Sequence, residues 1–538
     1  MTNIILTGFM GTGKTTVGYA VAQRLGRPFV DMDGEIEVRA GKRIPRIFAE
    51  DGEAAFRQIE AALCEYLSAG DGLVVATGCG ALVNPANRAA MQRNGVVICL
   101  DADADEILRR VGTREDRPLL SGADPVARIA ELLAARHDAY AAIPWHVETT
   151  GRSVDDVLTE VLALTETITL PVHHPGGSYD SHIGHGLLAH LGGALRATGV
   201  HEGAVAIVTN TVVGPLYAAR VEAVLHAAGY QPFVCTLPDG EPYKTWETVR
   251  TLYDCFLERH FDRSGVVLSL GGGVTGDIAG FAAATFMRGT HFAQVPTSLL
   301  AMTDAGVGGK TGVNLPQGKN LVGAFKQPDM VLVDLDVLDT LPAVEFRSGM
   351  AELIKHGVIA DAQLFAQMQH AGGKGQEAST LYPASRFLSP VWLARSIQVK
   401  VAIVEQDPWE HDRRAVLNLG HTVAHGLEQV SHLTLRHGEA VSIGMIAAAR
   451  LAEALGRAEP GLAAQLAEVL ASWGLPVTLP PVAVAALWDA MTHDKKRRGA
   501  TLRWILPRAI GAVEIVEDVP EAVVKAMLAE MGATIHGG

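Results

Sequence analysis

The chain reads as α/β over its first two thirds and mostly α-helical beyond, on three observations. Short apolar runs alternate with stretches of helical spacing, the pattern of a parallel sheet covered by helices. Twice a glycine-rich loop follows such a run, at Gly8-Phe9-Met10-Gly11-Thr12-Gly13-Lys14-Thr15 and at Gly271-Gly272-Gly273-Val274-Thr275-Gly276-Asp277. From about residue 342 the sequence turns Ala- and Leu-rich with helical periodicity. Two phosphate-handling loops of different kinds rarely share a domain, so the 538 residues read as two enzymes joined end to end.

Taken in order, strands are predicted at 3–7, 28–30, 73–76 and 96–100, with a helix over 15–25 and a helical pattern ending near Thr165. The stretch Leu170-Pro171-Val172-His173-His174-Pro175-Gly176-Gly177-Ser178 then marks a linker at about 166–174. Residues 1–168 and 169–538 are the predicted domains. The second divides into a nucleotide-binding α/β part at about 175–340 and a helical metal and substrate part at about 341–538. Few contacts need cross such a linker, so each half is expected to fold alone. Further strands are predicted at 204–209, 232–237, 265–270 and 292–295, and an exposed loop at 371–380.

Hydrophobic residues at 48% and charged residues at 19% suit a soluble globular protein. A net charge of −14 argues against nucleic acid or a membrane surface as partner. Uninterrupted apolar runs stay below the length of a membrane span. The five cysteines (Cys64, Cys79, Cys99, Cys235, Cys255) are odd in number and lack C-x-x-C spacing, which predicts a reducing compartment without a disulfide framework. With no basic leader at the N-terminus, the expected location is the cytoplasm.

In the first loop, glycines let backbone N–H groups turn inward around phosphate oxygens. Lys14 reaches the terminal phosphates, and Thr15 can ligate Mg²⁺. A chance Gly-rich turn does not bring strand, loop and helix together. Five further motifs make residues 1–165 resemble shikimate kinase: Asp31-Met32-Asp33, the stretch from Phe48 to Glu60 containing Arg57, Thr77-Gly78-Cys79-Gly80, and the later Arg117-Pro118-Leu119-Leu120 and Arg136-His137-Asp138-Ala139-Tyr140. The resemblance implies ATP on Gly11, Thr12, Gly13, Lys14, Thr15 and Thr16 under a lid carrying Arg117, and Mg²⁺ at Thr15 and Asp31. It places shikimate against Asp33, Arg57, Cys79, Gly80 and Arg136, with Lys14, Asp33 and Arg117 catalytic. The family usually has three consecutive glycines where this chain has Gly78-Cys79-Gly80.

In the second loop, Gly271-x-Gly273-x-x-Gly276 matches the dinucleotide fingerprint, but 291–297 contains none of the ribose-binding acid expected there. It reads as a pyrophosphate site outside the usual Rossmann form. Gly309-Lys310-Thr311 imitates the tail of a phosphate loop, yet Asp304 occupies its first glycine position. Glu352 and Lys355 lie one turn apart, His421 and His425 share a helical face, and His437 follows. A Glu/His/His set with an open position fits catalytic Zn²⁺.

From about residue 175 onward these segments resemble 3-dehydroquinate synthase, through Pro238-Asp239-Gly240-Glu241-Pro242-Tyr243-Lys244, Phe286-Met287-Arg288-Gly289, Gly309-Lys310-Thr311-Gly312-Val313-Asn314, Gly318-Lys319-Asn320 and Asp494-Lys495-Lys496. The resemblance implies Zn²⁺ or Co²⁺ at Glu352, His421 and His437. It implies NAD⁺ on Glu241, Lys244, Gly272, Gly273, Val274, Asp277, Thr297 and Ser298, with Lys310 and Lys319 beside it. Around a substrate carrying carboxylate and phosphate it sets Arg288, Asn320, Lys400, Lys495 and Lys496, with Asp304, Lys310, Lys355, Glu410, Arg414, Asn418 and His425 in catalytic roles. It leaves room for a homodimer through the second half. Rival readings are a metal-dependent polyol dehydrogenase, a sugar-phosphate cyclase and a non-catalytic nucleotide sensor. The cluster of Lys and Arg favours the synthase, because a polyol site needs no anion cage.

Overall fold

The computed structural model describes residues 2–111, 125–200, 203–372, 388–431, 435–498 and 502–534. Its chain forms two units, Met1–Thr167 with Gly184–Gly203 and Val221–Gln231, and Ile168–Ile183 with Ala204–Arg220 and Pro232–Gly538.

In the first unit, strands β1 (Asn3–Gly8), β2 (Phe29–Asp31), β3 (Val74–Ala76), β4 (Gly95–Asp101) and β5 (Trp145–Glu148) form one parallel sheet in the order β2-β3-β1-β4-β5. The central strand β1 is buried along its whole length, so it is apolar on both faces. Ile4 pairs with Val74 on one side and Val96 on the other. The strand β5 was absent from the sequence reading, because four residues flanked by helical patterns give little periodicity. Gly8 ends β1 at φ 132°, where a Cβ would stand 2.2 Å from the Leu100 carbonyl oxygen. Only glycine allows the chain to turn into the loop there. Within this unit the short helix Leu191–Ala197 sets Gly193 against the carbonyl of Pro144, and the His190 ring meets Trp145 edge-on.

In the second unit, β6 (Ile168–His174), β7 (Gly177–Gly184), β8 (Ala204–Asn210), β9 (Gln231–Leu237), β10 (Val266–Gly271), β11 (His291–Pro296) and β14 (Met330–Asp334) form a seven-stranded sheet in the order β6-β7-β14-β11-β10-β8-β9. Its central pairs are parallel. A separate antiparallel hairpin joins β12 (Lys310–Leu315) to β13 (Gly318–Phe325). The helices Ala343–Ala360, Pro390–Gln406, His421–Val430 and His437–Ala454 follow.

Three expectations need correction. The stretch 166–174 is no linker: β6 pairs antiparallel with β7 from Ile168↔Ile183 to His174↔Gly177, and its one proline, Pro171, sits on an edge strand where a missing N–H costs no ladder bond. The first unit also takes in Gly184–Gly203 and Val221–Gln231, so its boundary is not a single cut near residue 168. Cys235 on β9 and Cys255 on the helix Trp246–Glu258 form a disulfide, their Cα atoms being 6.4 Å apart, within bridging range. The predicted helical region also contains a hairpin, Trp504–Ala509 with Ala512–Val516, turning at Gly511 with φ 87°. Most of the loop predicted at 371–380 lies outside the described residues. Among those residues no helix is long and apolar enough to cross a membrane.

Candidate active sites

The first site grows from the end of β1. Helix Lys14–Leu25 begins directly after Gly13, whose left-handed backbone (φ 97°) contributes no side-chain cap. The N–H groups of the first turn are therefore available to an anion. Lys14 Nζ donates to the carbonyls of Gly8 (3.0 Å) and Phe9 (2.8 Å) and so lies over the loop. Burial lowers its pKa, with Cys79 and Asp33 opposing. Thr15 Oγ1 donates to Asp31 Oδ2 at 2.8 Å, so the two predicted Mg²⁺ ligands touch. Asp31 also caps the helix Met32–Ala40 by accepting from the N–H groups of Asp33 and Gly34. Thr12 is buried and bonded to the Phe9 carbonyl, while Thr16 is exposed.

A cavity of about 450 Å³ beside this loop is lined by Arg57, Glu60, Gly80, Asn84, Asn87 and Arg136, among others. Arg57 is held by Glu60 at 2.8 Å and by Glu53 at 3.2 Å. It lies over Gly80, where a Cβ would come within 3.2 Å of its Nη1. Arg136 Nη1 and the Tyr140 hydroxyl both donate to the Cys79 carbonyl, at 2.8 and 2.7 Å. Asp33 approaches the Cα of Gly78, since a Cβ there would lie 2.7 Å from Oδ1. Asp33, Arg57, Cys79, Gly80 and Arg136 thus lie near one another. None of residues 78–80 uses a positive φ, so cysteine at 79 costs no backbone strain. Arg117 lies outside the described residues. Sequence reasoning assigned Glu60 no role; its burial raises its pKa while Arg57 and Arg136 oppose. Two guanidinium groups around one cavity can bind a carboxylate.

The second site begins where β10 enters the helix Gly273–Thr285 through Gly272. The Thr297 N–H donates to the Gly271 carbonyl at 3.0 Å, and a Cβ on Gly272 would lie 3.4 Å from Ser298 Oγ. Val274 occupies the first helical turn. Lys244 is buried and donates both to Asp277 and, at 2.5 Å, to Asn320 Oδ1. Glu241 accepts from Asn314 at 2.7 Å. A cavity of about 420 Å³ joins Asp277, Lys310, Asn320, Phe325 and Glu410, and Lys310 pairs with Glu410 at 2.5 Å.

The three metal-ligand candidates come together in space. One ligand atom each from Glu352, His421 and His437 lies within 4.8 Å of the others. Glu352 is fully buried inside the helix Ala343–Ala360, and each histidine opens a helix. No hydrogen-bond donor is aligned on either Glu352 oxygen, although Lys355 Nζ stands 2.5 Å from Oε2. Burial by itself would raise this carboxyl. Lys355, His437 and His421 outweigh it and hold Glu352 well below its ordinary value. Burial, and then Lys355, pushes His421 down to about 3. His437 goes the other way, to about 9, because Glu352 and Glu428 outweigh its burial. An ionised, buried carboxylate without a bonded donor, facing two imidazoles, fits a divalent cation.

Around this centre Lys400 is buried and pairs with Asp304 Oδ1 at 2.5 Å. Burial would raise Asp304, but Lys400 and Lys355 keep it below the carboxylate range. Arg414 is buried and donates to the carbonyls of Pro408 (3.1 Å) and Gly308 (3.3 Å). The His425 ring sits 5.4 Å from that of His421. Asn418 is exposed, and so is Arg288, which has a left-handed backbone (φ 66°) and does not line the cavity. Lys319 pairs with Glu428 at 3.2 Å. Lys495 and Lys496 fall in the helix Val484–Arg498, with side chains outside the described part. Sequence reasoning missed Glu428, although its spacing of seven from His421 places both on one helical face.

Cys99, Asp101 and His146 form a second group of ligand type, across the paired strands β4 and β5. Cys99 Sγ and His146 Nδ1 both approach Asp101, at 3.5 and 2.6 Å, and His146 Nε2 meets the Tyr140 carbonyl at 3.2 Å. Each of these polar atoms has a partner, so the group is a hydrogen-bonded Asp–His pair.

Family models match in the order kinase, then synthase: shikimate kinase over 10–166, 3-dehydroquinate synthase N-terminal over 234–348, and 3-dehydroquinate synthase C-terminal over 349–497. The 3-dehydroquinate synthase of Synechocystis sp. is 44% identical over 362 residues, covering 67% of this chain and 99% of the relative. That of Neisseria meningitidis is 44% identical over 352 residues, covering 65% and 95%. A solved 2-epi-5-epi-valiolone synthase from Streptomyces hygroscopicus, with NAD⁺ and Zn²⁺ bound, shows 30% identity and a TM-score of 0.59, covering 66% of this chain and 96% of that one.

Proposed function

This chain belongs to the 3-dehydroquinate synthase family and carries a shikimate kinase domain ahead of the synthase; on that premise we propose the substrates, cofactors and residue roles of its two activities in aromatic biosynthesis. The first half phosphorylates shikimate to shikimate 3-phosphate with ATP and Mg²⁺. The second converts 3-deoxy-D-arabino-heptulosonate 7-phosphate to 3-dehydroquinate and phosphate.

In the kinase, Arg57 and Arg136, which both line the cavity, bind the substrate carboxylate, and Asp33 orients its hydroxyls. Lys14 exchanges its two carbonyl contacts for the terminal phosphates, and Thr15 with Asp31 would hold the magnesium ion.

In the synthase, Glu352, His421 and His437 would hold Zn²⁺ or Co²⁺, which when bound lowers the pKa of a substrate hydroxyl. Glu241, Lys244, Gly272, Gly273 and Asp277 would hold NAD⁺, which supplies a reversible oxidation with no net redox change. Lys310, Lys355, Lys400 and Arg414 neutralise the carboxylate and phosphate. Glu410 and Asp304 keep Lys310 and Lys400 oriented, and His425 stands beside the metal ligands as a proton-transfer group.

The observation that carries this reading is the buried Glu352, whose carboxylate oxygens have no aligned hydrogen-bond donor and which shares one ligand cluster with His421 and His437 beside Lys355. Phosphate release and ATP consumption, assayed separately with each substrate, test it. Turnover is expected with sub-stoichiometric NAD⁺ and no net NADH. Steady NADH accumulation matching product would favour a dehydrogenase instead.

A further inference from the structure

Glu428 lies two turns beyond His421 on the helix His421–Val430, and its side chain is only 9% exposed. Its Oε1 accepts from His437 Nδ1 at 2.8 Å, and its Oε2 from Lys319 Nζ at 3.2 Å. Both partners of Glu428 are donors, so Nδ1 of His437 carries a proton and the ring's other nitrogen faces the centre. That Nε2 stands 3.5 Å from Glu352 Oε1. His421 is oriented the same way by a different acceptor: its Nδ1 meets the Leu419 carbonyl at 3.2 Å, and its Nε2 lies 3.9 Å from the same Glu352 oxygen. Two histidines thus present one ring nitrogen each to one carboxylate, one turned by a backbone oxygen and the other by Glu428.

We propose that Glu428 is a positioning residue for the metal centre, holding His437 in the tautomer and orientation that ligate through Nε2 and strengthening it as a ligand. A carboxylate hydrogen-bonded to a ligating histidine has this effect, and losing it costs about 10–100-fold in metal affinity. The inference rests on reading Glu352, His421 and His437 as a cation site. The rival account makes Glu428 a structural anchor for the hairpin that carries Lys319. Lys319 is half exposed, so solvent screens its pairing with Glu428, and that pairing gives little reason to bury a carboxylate. The His437 bond is the shorter and more buried of the two.

The test is competition of the full-length protein with a chromophoric chelator for Zn²⁺, together with the visible ligand-field bands of the Co²⁺ form. Glu428→Ala is expected to bind Zn²⁺ about 10–100-fold more weakly than wild type with altered Co²⁺ bands, Glu428→Gln to lose less, and Lys319→Ala to stay within about threefold. Zn²⁺ affinity within about threefold of wild type in Glu428→Ala, or in Glu428→Gln should the alanine variant not fold, would overturn the proposal. A loss in Lys319→Ala equal to that in Glu428→Ala would overturn it too, by assigning the effect to the hairpin. Wild-type protein that binds no Zn²⁺ would instead overturn the reading of the site itself.

Discussion

Lys14 is half-buried and donates to two loop carbonyls, so an alanine there removes the cation of the Gly8–Thr15 loop without exposing new core. We expect Lys14→Ala to lower shikimate phosphorylation by on the order of 10²–10³-fold while phosphate release by the synthase is unchanged. A matching loss of both activities in folded protein would mean a shared site. His146 makes a second prediction. Burial would lower its pKa, but the bonds to Asp101 raise it above 6.5, with Arg196 opposing. A raised histidine contributes stability that is complete below the unfolded value and fades as pH climbs through the folded one. The first unit should therefore lose thermal stability as pH rises above about 6.5, and His146→Gln should flatten that slope; equal slopes in calorimetry would refute it. The placement of Lys14 and Thr15 at the start of a helix behind a glycine loop was legible because a short motif dictates a short-range geometry. His146 was not, since its partner lies 45 residues away on the neighbouring strand.

Helices in the synthase half meet through glycine, and that sets how closely the candidate ligands His421 and His437 align. A Cβ on Gly444 would stand 2.0 Å from the Gly420 carbonyl oxygen, and one on Gly438 2.0 Å from that of Ser348. Both obstacles are backbone atoms and cannot rotate aside. Gly420 immediately precedes His421, and Gly444 lies on the helix opened by His437. Gly444→Ala should therefore push apart the two elements that present these histidines. We expect it to destabilise the unit by about 1–3 kcal/mol or more, and to weaken Zn²⁺ binding beyond what the stability change explains. Wild-type melting and Zn²⁺ affinity in this variant would show that the contact can relax. The helices themselves were legible from periodicity. The hairpin β12–β13, which carries Lys310, Lys319 and Asn320, was not, because its sequence is glycine-rich and lacks clean alternation.

At the scale of the whole molecule, the first unit contains Gly184–Gly203 and Val221–Gln231 as well as the kinase sequence. Leu187, Leu188, Leu191 and Leu195 are buried in it. Burying such side chains contributes about 1.5–3 kcal/mol each, against a typical domain stability of about 5–15 kcal/mol. A fragment of residues 1–168 should keep its kinase site, and so its kcat/KM to within about tenfold, or 1.4 kcal/mol. It should nonetheless unfold at a markedly lower urea concentration than the same unit in the intact chain. Equal midpoints would restore a clean boundary near residue 168.

Resemblance to two families, not local pattern, nominated most candidate side chains around the two sites; local sequence established the two glycine-rich loops, the strands that feed them and the helical final third. Those features depend on periodicity and on residues close in the chain, which physics reads without knowing the fold. Tertiary structure decided what depends on distant segments meeting. It turned a Pro/Gly-rich stretch into an edge hairpin and joined Cys235 to Cys255. It also set Glu428 between His437 and Lys319, 109 residues from the latter. No short-range pattern encodes such encounters, because they follow from strand order and helix packing over the whole chain.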